Sequence, residues 1–387
     1  MTTIGVKHVT NNSNPVLTRM TTSANILPGW NNGLTSAQAT SLLNSTMSPY
    51  SGMTRCNVWL NGTVTAIYGD RCYTDTDSTN MGPCMVKIPA FYYYVDTSMA
   101  ADATPRVVYW ISNALGDVIT KEDTTTHTIV AGDIHPAFQL DGVTKSAVYI
   151  ASYEGSEAVN FGGGGVTILN SASGVTPLGN TLKATLRGYA EAVGLGWELM
   201  SVQSYGAVAY LFINEYASLN CHSSLGNGCT TAVLTTGGSI LNGNTSYGTT
   251  ANSTTYMTYR GLENLWGNYL TWIDGLHIVT YQAWTLPQTA TRANYQDTVF
   301  PGTGYADQGF ALTSTNDYVT STFPSWMFLG TAATGGDASK YYCNIITPAA
   351  GNRSYYFGPG SGSGGIFGGF FGTNAVASAG SRTQYIG

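Results

Sequence analysis

Arg260-Gly-Leu-Glu-Asn-Leu-Trp-Gly-Asn-Tyr-Leu-Thr-Trp-Ile-Asp-Gly-Leu276 is the most informative stretch of this chain. Trp266 and Trp272 stand six residues apart, glycines lie near both ends, and a Glu-Asn pair precedes the first indole. Two large apolar rings at that spacing, between residues that permit sharp turns, read as a compact turn running into a strand, with both indoles packed inward. Glu263, Asn264, Trp266, Gly267, Trp272, Asp274 and Gly275 are its candidate structural residues.

Upstream, two helices are legible. Asn180 reads as the cap of a segment in which Leu182, Leu186, Tyr189 and Val193 recur at helical spacing before Gly194 stops it. Ser201 reads as the cap of a second, with Val202, Tyr205, Ala209, Phe212, Ile213 and Tyr216 on one apolar face. Before them come strand signals at 85–88, 91–95, 107–111 and 147–153, punctuated by Pro89, Pro105 and Pro136. Residues 1–82 are rich in Asn, Ser, Thr and Gly with short apolar pieces at 56–60 and 64–68, and read as a separate β-rich module for assembly or attachment. Beyond Leu219 the text returns to loops and strands. The last stretch interleaves Tyr341, Tyr342, Tyr355, Tyr356, Phe367, Phe370 and Phe371 with Gly and Ser. Expected overall is an α+β fold with two helices against small antiparallel sheets.

Composition narrows the function. The 387 residues carry a formal charge of −6 and only 9% charged side chains, against roughly 25% in average soluble chains, so surface polarity must come from Asn, Thr, Ser and Tyr. Fifteen basic residues, scattered and outnumbered, argue against nucleic acid as a partner. No apolar run reaches the roughly 18 residues of a membrane span, and the N-terminus lacks the basic start and apolar core of a Sec signal. With 12 Phe, 8 Trp and 26 Tyr the chain is too apolar for a solvated coil.

Chemical motifs are sparse. Gly360, Gly362 and Gly365 spell GxGxxG, but the Ile366-Phe367 run that follows has no helical period, which removes the dinucleotide reading. The six cysteines form no CxxC pair, so zinc is not expected; a Cys221–Cys229 disulfide is one open arrangement. No catalytic metal or organic cofactor is expected, and a structural calcium built from carbonyls and scattered Asp would leave no spacing signal. Glu198, Glu215, Glu263 and Asp274 are the carboxylates a glycan hydrolase would draw on, yet buried carboxylates bonded to amides or arginines are the commoner fate.

The Glu263–Gly275 stretch resembles the "EN-WGN-W-W-DG" element of variable proteins from diversity-generating retroelements, which are built on a C-type lectin fold and include the tropism determinants of phages. It is more distantly similar to the formylglycine-generating-enzyme branch of that fold. Val86-Lys-Ile-Pro-Ala-Phe-Tyr-Tyr-Tyr, Ile134-His-Pro-Ala-Phe and Tyr149-Ile-Ala-Ser-Tyr-Glu-Gly look like strands preceding the same domain. The ending Ser378-Ala-Gly-Ser-Arg-Thr-Gln-Tyr-Ile-Gly is similar to the family's constant "GSR" tail.

The resemblance implies a C-type-lectin-like domain over 83–387 and a variable region near 341–374. It implies a protein of a virion surface or tail fibre, not an enzyme, that binds a host cell-surface protein or glycan and assembles with other virion proteins, with a homo-oligomer as one open arrangement. In this family miscopied template adenines scatter Asn codons over many residues but never to Lys, Glu, Gln, Met or Trp. Those five types number 39 in the chain and none in the 43 residues Tyr341–Thr383, where the average frequency gives roughly four. The ligand-binding positions carried over are Tyr341, Tyr342, Arg353, Ser354, Tyr355, Tyr356, Ser361, Ser363, Phe367, Phe370, Phe371 and Asn374. Aromatic rings for contact area beside adaptable Gly and Ser is the division of labour of antibody loops, and the expected surface is an exposed aromatic patch. The enzymatic alternatives are a tail-spike hydrolase and a formylglycine-generating-type oxidase; the latter needs two late cysteines where only Cys343 lies. A purely structural virion protein is the third reading.

Overall fold

A computed structural model describes residues 2–10, 17–99, 101–159, 165–229, 232–238, 245–246, 256–287, 292–312, 314, 317–322, 325–333, 345–346, 351–357, 370–372 and 379–386. It is a mixed α+β structure of small, mostly antiparallel sheets with five α-helices among the described residues: α1 (Ser36–Thr46), α2 (Ser78–Met81), α3 (Lys183–Glu191), α4 (Val202–Tyr216) and α5 (Cys221–Leu225). None is long and apolar enough to cross a membrane.

Ser201 caps α4 as expected, its hydroxyl accepting from the Ser204 amide at 3.2 Å. Every residue from Val202 to Glu215 is buried, so α4 is a central helix covered on all sides, not one with a single packed face. The start of α3 differs from expectation. Asn180 lies in the left-handed region (φ +53°) and the helix begins at Lys183, because a left-handed residue cannot lead directly into the first turn as a cap does. The sequence reading missed α1, whose start is fixed by a capping box between Thr35 and Gln38.

Three sheets surround α4. The first runs Leu17–Arg19, Thr3–Val9, Arg106–Ser112, Tyr92–Asp96. The second runs Trp197–Leu199, Thr383–Tyr385, Ala147–Ala151, Cys84–Pro89, Thr54–Val58, Val64–Ile67, so the C-terminal strand sits inside the sheet rather than at its end. The third runs Ala306–Ala311, Gln282–Thr285, Leu270–Val279, Asn352–Phe357, Phe370–Gly372, with Ala379–Gly380 parallel to the start of the 270–279 strand.

The expected module boundary at 82 is not where hydrogen bonding breaks. Thr3–Val9 pairs along its whole length with Arg106–Ser112, Thr54–Val58 pairs with Cys84–Pro89, and Ile4, Val6, Trp30, Leu43 and Tyr50 belong to the same core as α4. Glu215 of α4 fixes this junction: Arg260 holds both its oxygens at 2.7 Å, and Thr40 of α1 donates to it at 2.6 Å. The first 82 residues therefore complete the sheets of the rest and contain the helices α1 and α2.

Trp266 and Trp272 are both buried, 1% and 0% exposed, as their spacing suggested. Trp272 packs edge-on to Tyr356 at 4.7 Å, in a cluster with Leu169, Leu186, Leu199 and Leu270. Trp272→Ala is expected to cost about 3–5 kcal/mol, read as a lowered denaturant midpoint. An unchanged midpoint would deny the ring its structural place.

Candidate functional site

The 260–276 stretch folds as a turn, a short bridge and the long strand Leu270–Val279. Gly267 turns the chain at φ +80°, and a Cβ there would lie 2.8 Å from the Cys229 amide nitrogen. Gly275 (φ +78°) sits at the irregularity between Trp272 and His277, where the strand shifts register against Asn352–Phe357.

The polar residues of the stretch face inward, onto two of the other motifs read from sequence. Glu154, from Tyr149-Ile-Ala-Ser-Tyr-Glu-Gly, accepts from the Tyr269 amide at 3.0 Å, from Asn264 Nδ2 at 3.3 Å and from Asn268 Nδ2. Burial pushes its pKa up to about 7, against the nearby Arg382 guanidinium and these hydrogen bonds. Arg382, from the tail, is fully buried and donates to the carbonyls of Ala151 and Ser152 at 3.2 Å, of Asn264 at 2.8 Å and of Glu263. Ser381 Oγ donates to the Trp272 carbonyl at 2.8 Å. Glu263 itself accepts from the Gly237 amide at 2.8 Å. The tail is thus clamped onto the Glu263–Trp272 element by its own serine and arginine.

Asp274 anchors a second buried network. Arg187 donates to both its oxygens at 2.5 and 2.7 Å, and Lys183 lies 3.1 Å from it; both cations also pair with Asp297, at 2.6 and 3.1 Å. Burial raises the pKa of Asp297, but Lys183 and Arg187 outweigh it and hold the carboxyl well below its usual range. Ser354 Oγ donates to Asp297 at 2.6 Å, tying the Asn352–Phe357 strand to α3. The neighbouring His277 is neutral: its Nδ1 accepts from the Gly302 amide at 3.1 Å, which leaves Nε2–H to donate to the Gln296 carbonyl at 2.7 Å.

The twelve carried-over ligand-binding positions fall into four groups. Arg353 is half-buried on the 352–357 strand, its guanidinium donating to the Asn352 carbonyl at 3.1 Å. Phe370 and Phe371 lie on the outermost described strand of the third sheet, paired with Tyr356 and Tyr355. Tyr341, Tyr342, Ser361, Ser363, Phe367 and Asn374 lie outside the described residues. For the remaining three, the expected exposure is corrected. Ser354 is 3%, Tyr355 0% and Tyr356 8% exposed. Alternate residues of a strand point to opposite faces, and here both faces are covered: Tyr355 joins the core around α4, and Tyr356 joins Trp272 and the Leu186 side of α3.

The four carboxylates weighed as catalysts are all buried, between 0% and 3% exposed. Glu215 is held by Arg260, Asp274 by Arg187, Glu263 by the Gly237 amide, and Glu198 accepts from Gln384 Nε2. Each is a structural acceptor. Cys221 and Cys229 are separate buried thiols, and Cys343 lies outside the described residues. Among the described residues no three His, Cys, Asp or Glu side chains converge as a metal site would need. Lys183, Arg187 and Asp297 carried no signal in the sequence, since the two cations pair with Asp274 and Asp297 across about a hundred residues. Glu154 and Arg382 did carry one, lying in motifs already singled out.

No protein-family model matches the chain, and no curated protein matches it.

Proposed function

We propose that this chain is a ligand-binding protein of a virus or phage-like element, presenting a diversified C-terminal surface on a C-type-lectin-like scaffold at a virion surface or tail fibre. The observation that carries the reading is the bracketing of residues 358–378. On one side the chain is held by buried Ser354, Tyr355 and Tyr356, on the other by buried Ser381 and Arg382, and both holds close on the same Glu263–Asp274 element. Between them run eight glycines and three phenylalanines, with none of the five residue types that adenine miscopying cannot produce. A segment whose two flanks are each held by buried residues outside it is one where substitution changes recognition and spares the fold.

The contact set is accordingly Arg353, Phe370 and Phe371, with Tyr341, Tyr342, Ser361, Ser363, Phe367 and Asn374; Ser354, Tyr355 and Tyr356 belong to the scaffold. Its partner is a host cell-surface protein or glycan, and other virion proteins hold the chain in place. The structural use of Glu198, Glu215, Glu263 and Asp274 supports binding over hydrolysis.

The test is Phe367→Ser, Phe370→Ser and Phe371→Ser in one chain. Loss of binding to intact host cells is expected, because aromatic anchors each contribute about 2 kcal/mol or more, with the cooperative melt retained. A variant that no longer melts cooperatively would make these rings core and remove the proposed surface.

A further inference from the structure

An open cleft of about 1020 Å³ lies on the second sheet, where the C-terminal strand ends beside the outer strand Trp197–Leu199. Pockets for small ligands usually run to about 300–1,000 Å³, so a chain-like ligand suits this one better than a single small molecule. Trp197, Tyr385 and Tyr295 supply its aromatic lining.

The platform is rigid by construction. The Tyr385 ring stands 5.4 Å from Trp197 and 6.0 Å from Tyr149. It fits only because two left-handed glycines leave room: a Cβ on Gly62 would fall 1.8 Å from the Tyr385 hydroxyl oxygen, and one on Gly196 2.8 Å from its ring. Trp197 is fixed from the other side, its Nε1 donating to the Leu60 carbonyl at 2.9 Å. Around these rings stand Asp141, Glu191 and buried Glu198, with Lys145 the one cation among the described lining residues. Leu195, 96% exposed, stands on the rim.

Trp197 is 3% exposed and backs the platform, so the half-buried rings of Tyr385 and Tyr295 supply the accessible faces; beside the exposed carboxylates of Asp141 and Glu191 they suit a ligand that has both apolar C–H faces and hydroxyl donors. The two exposed carboxylates, with that of Glu198 buried behind them, stand against one ammonium and disfavour an anion. We propose that this cleft binds a neutral oligosaccharide, at a site separate from the C-terminal segment and independent of its function.

Calorimetric titration with maltohexaose, cellohexaose and chitohexaose, with oligogalacturonate as the anionic control, tests this. At least one neutral hexamer binds and the anion does not. Tyr295→Ala and Asp141→Asn each weaken that binding by at least about tenfold, whereas the triple Phe367, Phe370, Phe371 to Ser variant keeps it. No heat with any neutral hexamer at about 10 mM overturns the proposal. So does preferred binding of the anion, or self-association that Leu195→Ser abolishes in a protein that binds no sugar.

Discussion

Arg382→Ala is expected to lower the unfolding free energy by about 4 kcal/mol or more, among the largest effects of any single substitution in this chain. The guanidinium serves four carbonyls from two segments, Ala151–Ser152 and Glu263–Asn264, at a point with no solvent access. Removing it leaves each with a desolvation cost of about 1–3 kcal/mol, reduced by whatever water enters the space. Arg382→Met keeps most of the volume and none of the donors, so it separates hydrogen bonding from packing and is expected to fall nearly as far. Arg382→Lys recovers little, since a single ammonium cannot span carbonyls on two strands as the planar fork does. Denaturant midpoints measure all three; a loss under about 1 kcal/mol for Arg382→Ala would show that the tail is not clamped as described.

The second large effect is acid destabilisation well above the carboxylate range. Burial lowers the pKa of His8 and His277 to about 4 and of His135 to about 3, from an ordinary 6.5. A base whose folded pKa is depressed contributes its full stability above 6.5 and loses it as pH falls, here about 2 kcal/mol for each histidine between pH 7 and pH 5. Glu154 works the other way. Its pKa is raised from 4.5 to about 7, so its charge is a burden at pH 7 that protonation relieves, returning about 2 kcal/mol over the same interval. The histidines win by number, and the net expectation is a loss of about 3–4 kcal/mol from pH 7 to pH 5. Asp297, with its pKa depressed, adds to the loss only below that window. Urea unfolding at the two pH values checks the sum, and a protein equally stable at both would refute it.

Much of the scaffold could be read from local pattern. Paired indoles six apart announced the buried turn and strand, Ser201 before a helical period announced α4, and the strands at 84–89, 106–112 and 147–151 followed from apolar runs ending in proline or turn residues. Other features failed for definable reasons. The buried side chains of α1 are just Ala39 and Leu43, too few to show a period, so only the Thr35-x-x-Gln38 cap marked it. Tyr355 and Tyr356 looked like a surface pair because glycine-rich text lies beside them, whereas a strand packed on both faces buries consecutive residues. The Lys183–Arg187–Asp274–Asp297 network and the Arg260–Glu215 pair join residues 45 to 114 apart, and nothing local in a sequence encodes such partners.

The binding reading meets its most direct test in the DNA flanking the coding region. It requires a near-copy of the 3′ coding end beside a reverse-transcriptase gene, differing from the coding copy mainly where the copy has adenine. The differing codons should fall within 341–374, at positions such as Arg353, Phe367, Phe370, Phe371 and Asn374, and should spare Ser354, Tyr355, Tyr356 and the Glu263–Gly275 element. Absence of such a repeat, or adenine-directed differences concentrated on the buried tyrosines, would contradict it.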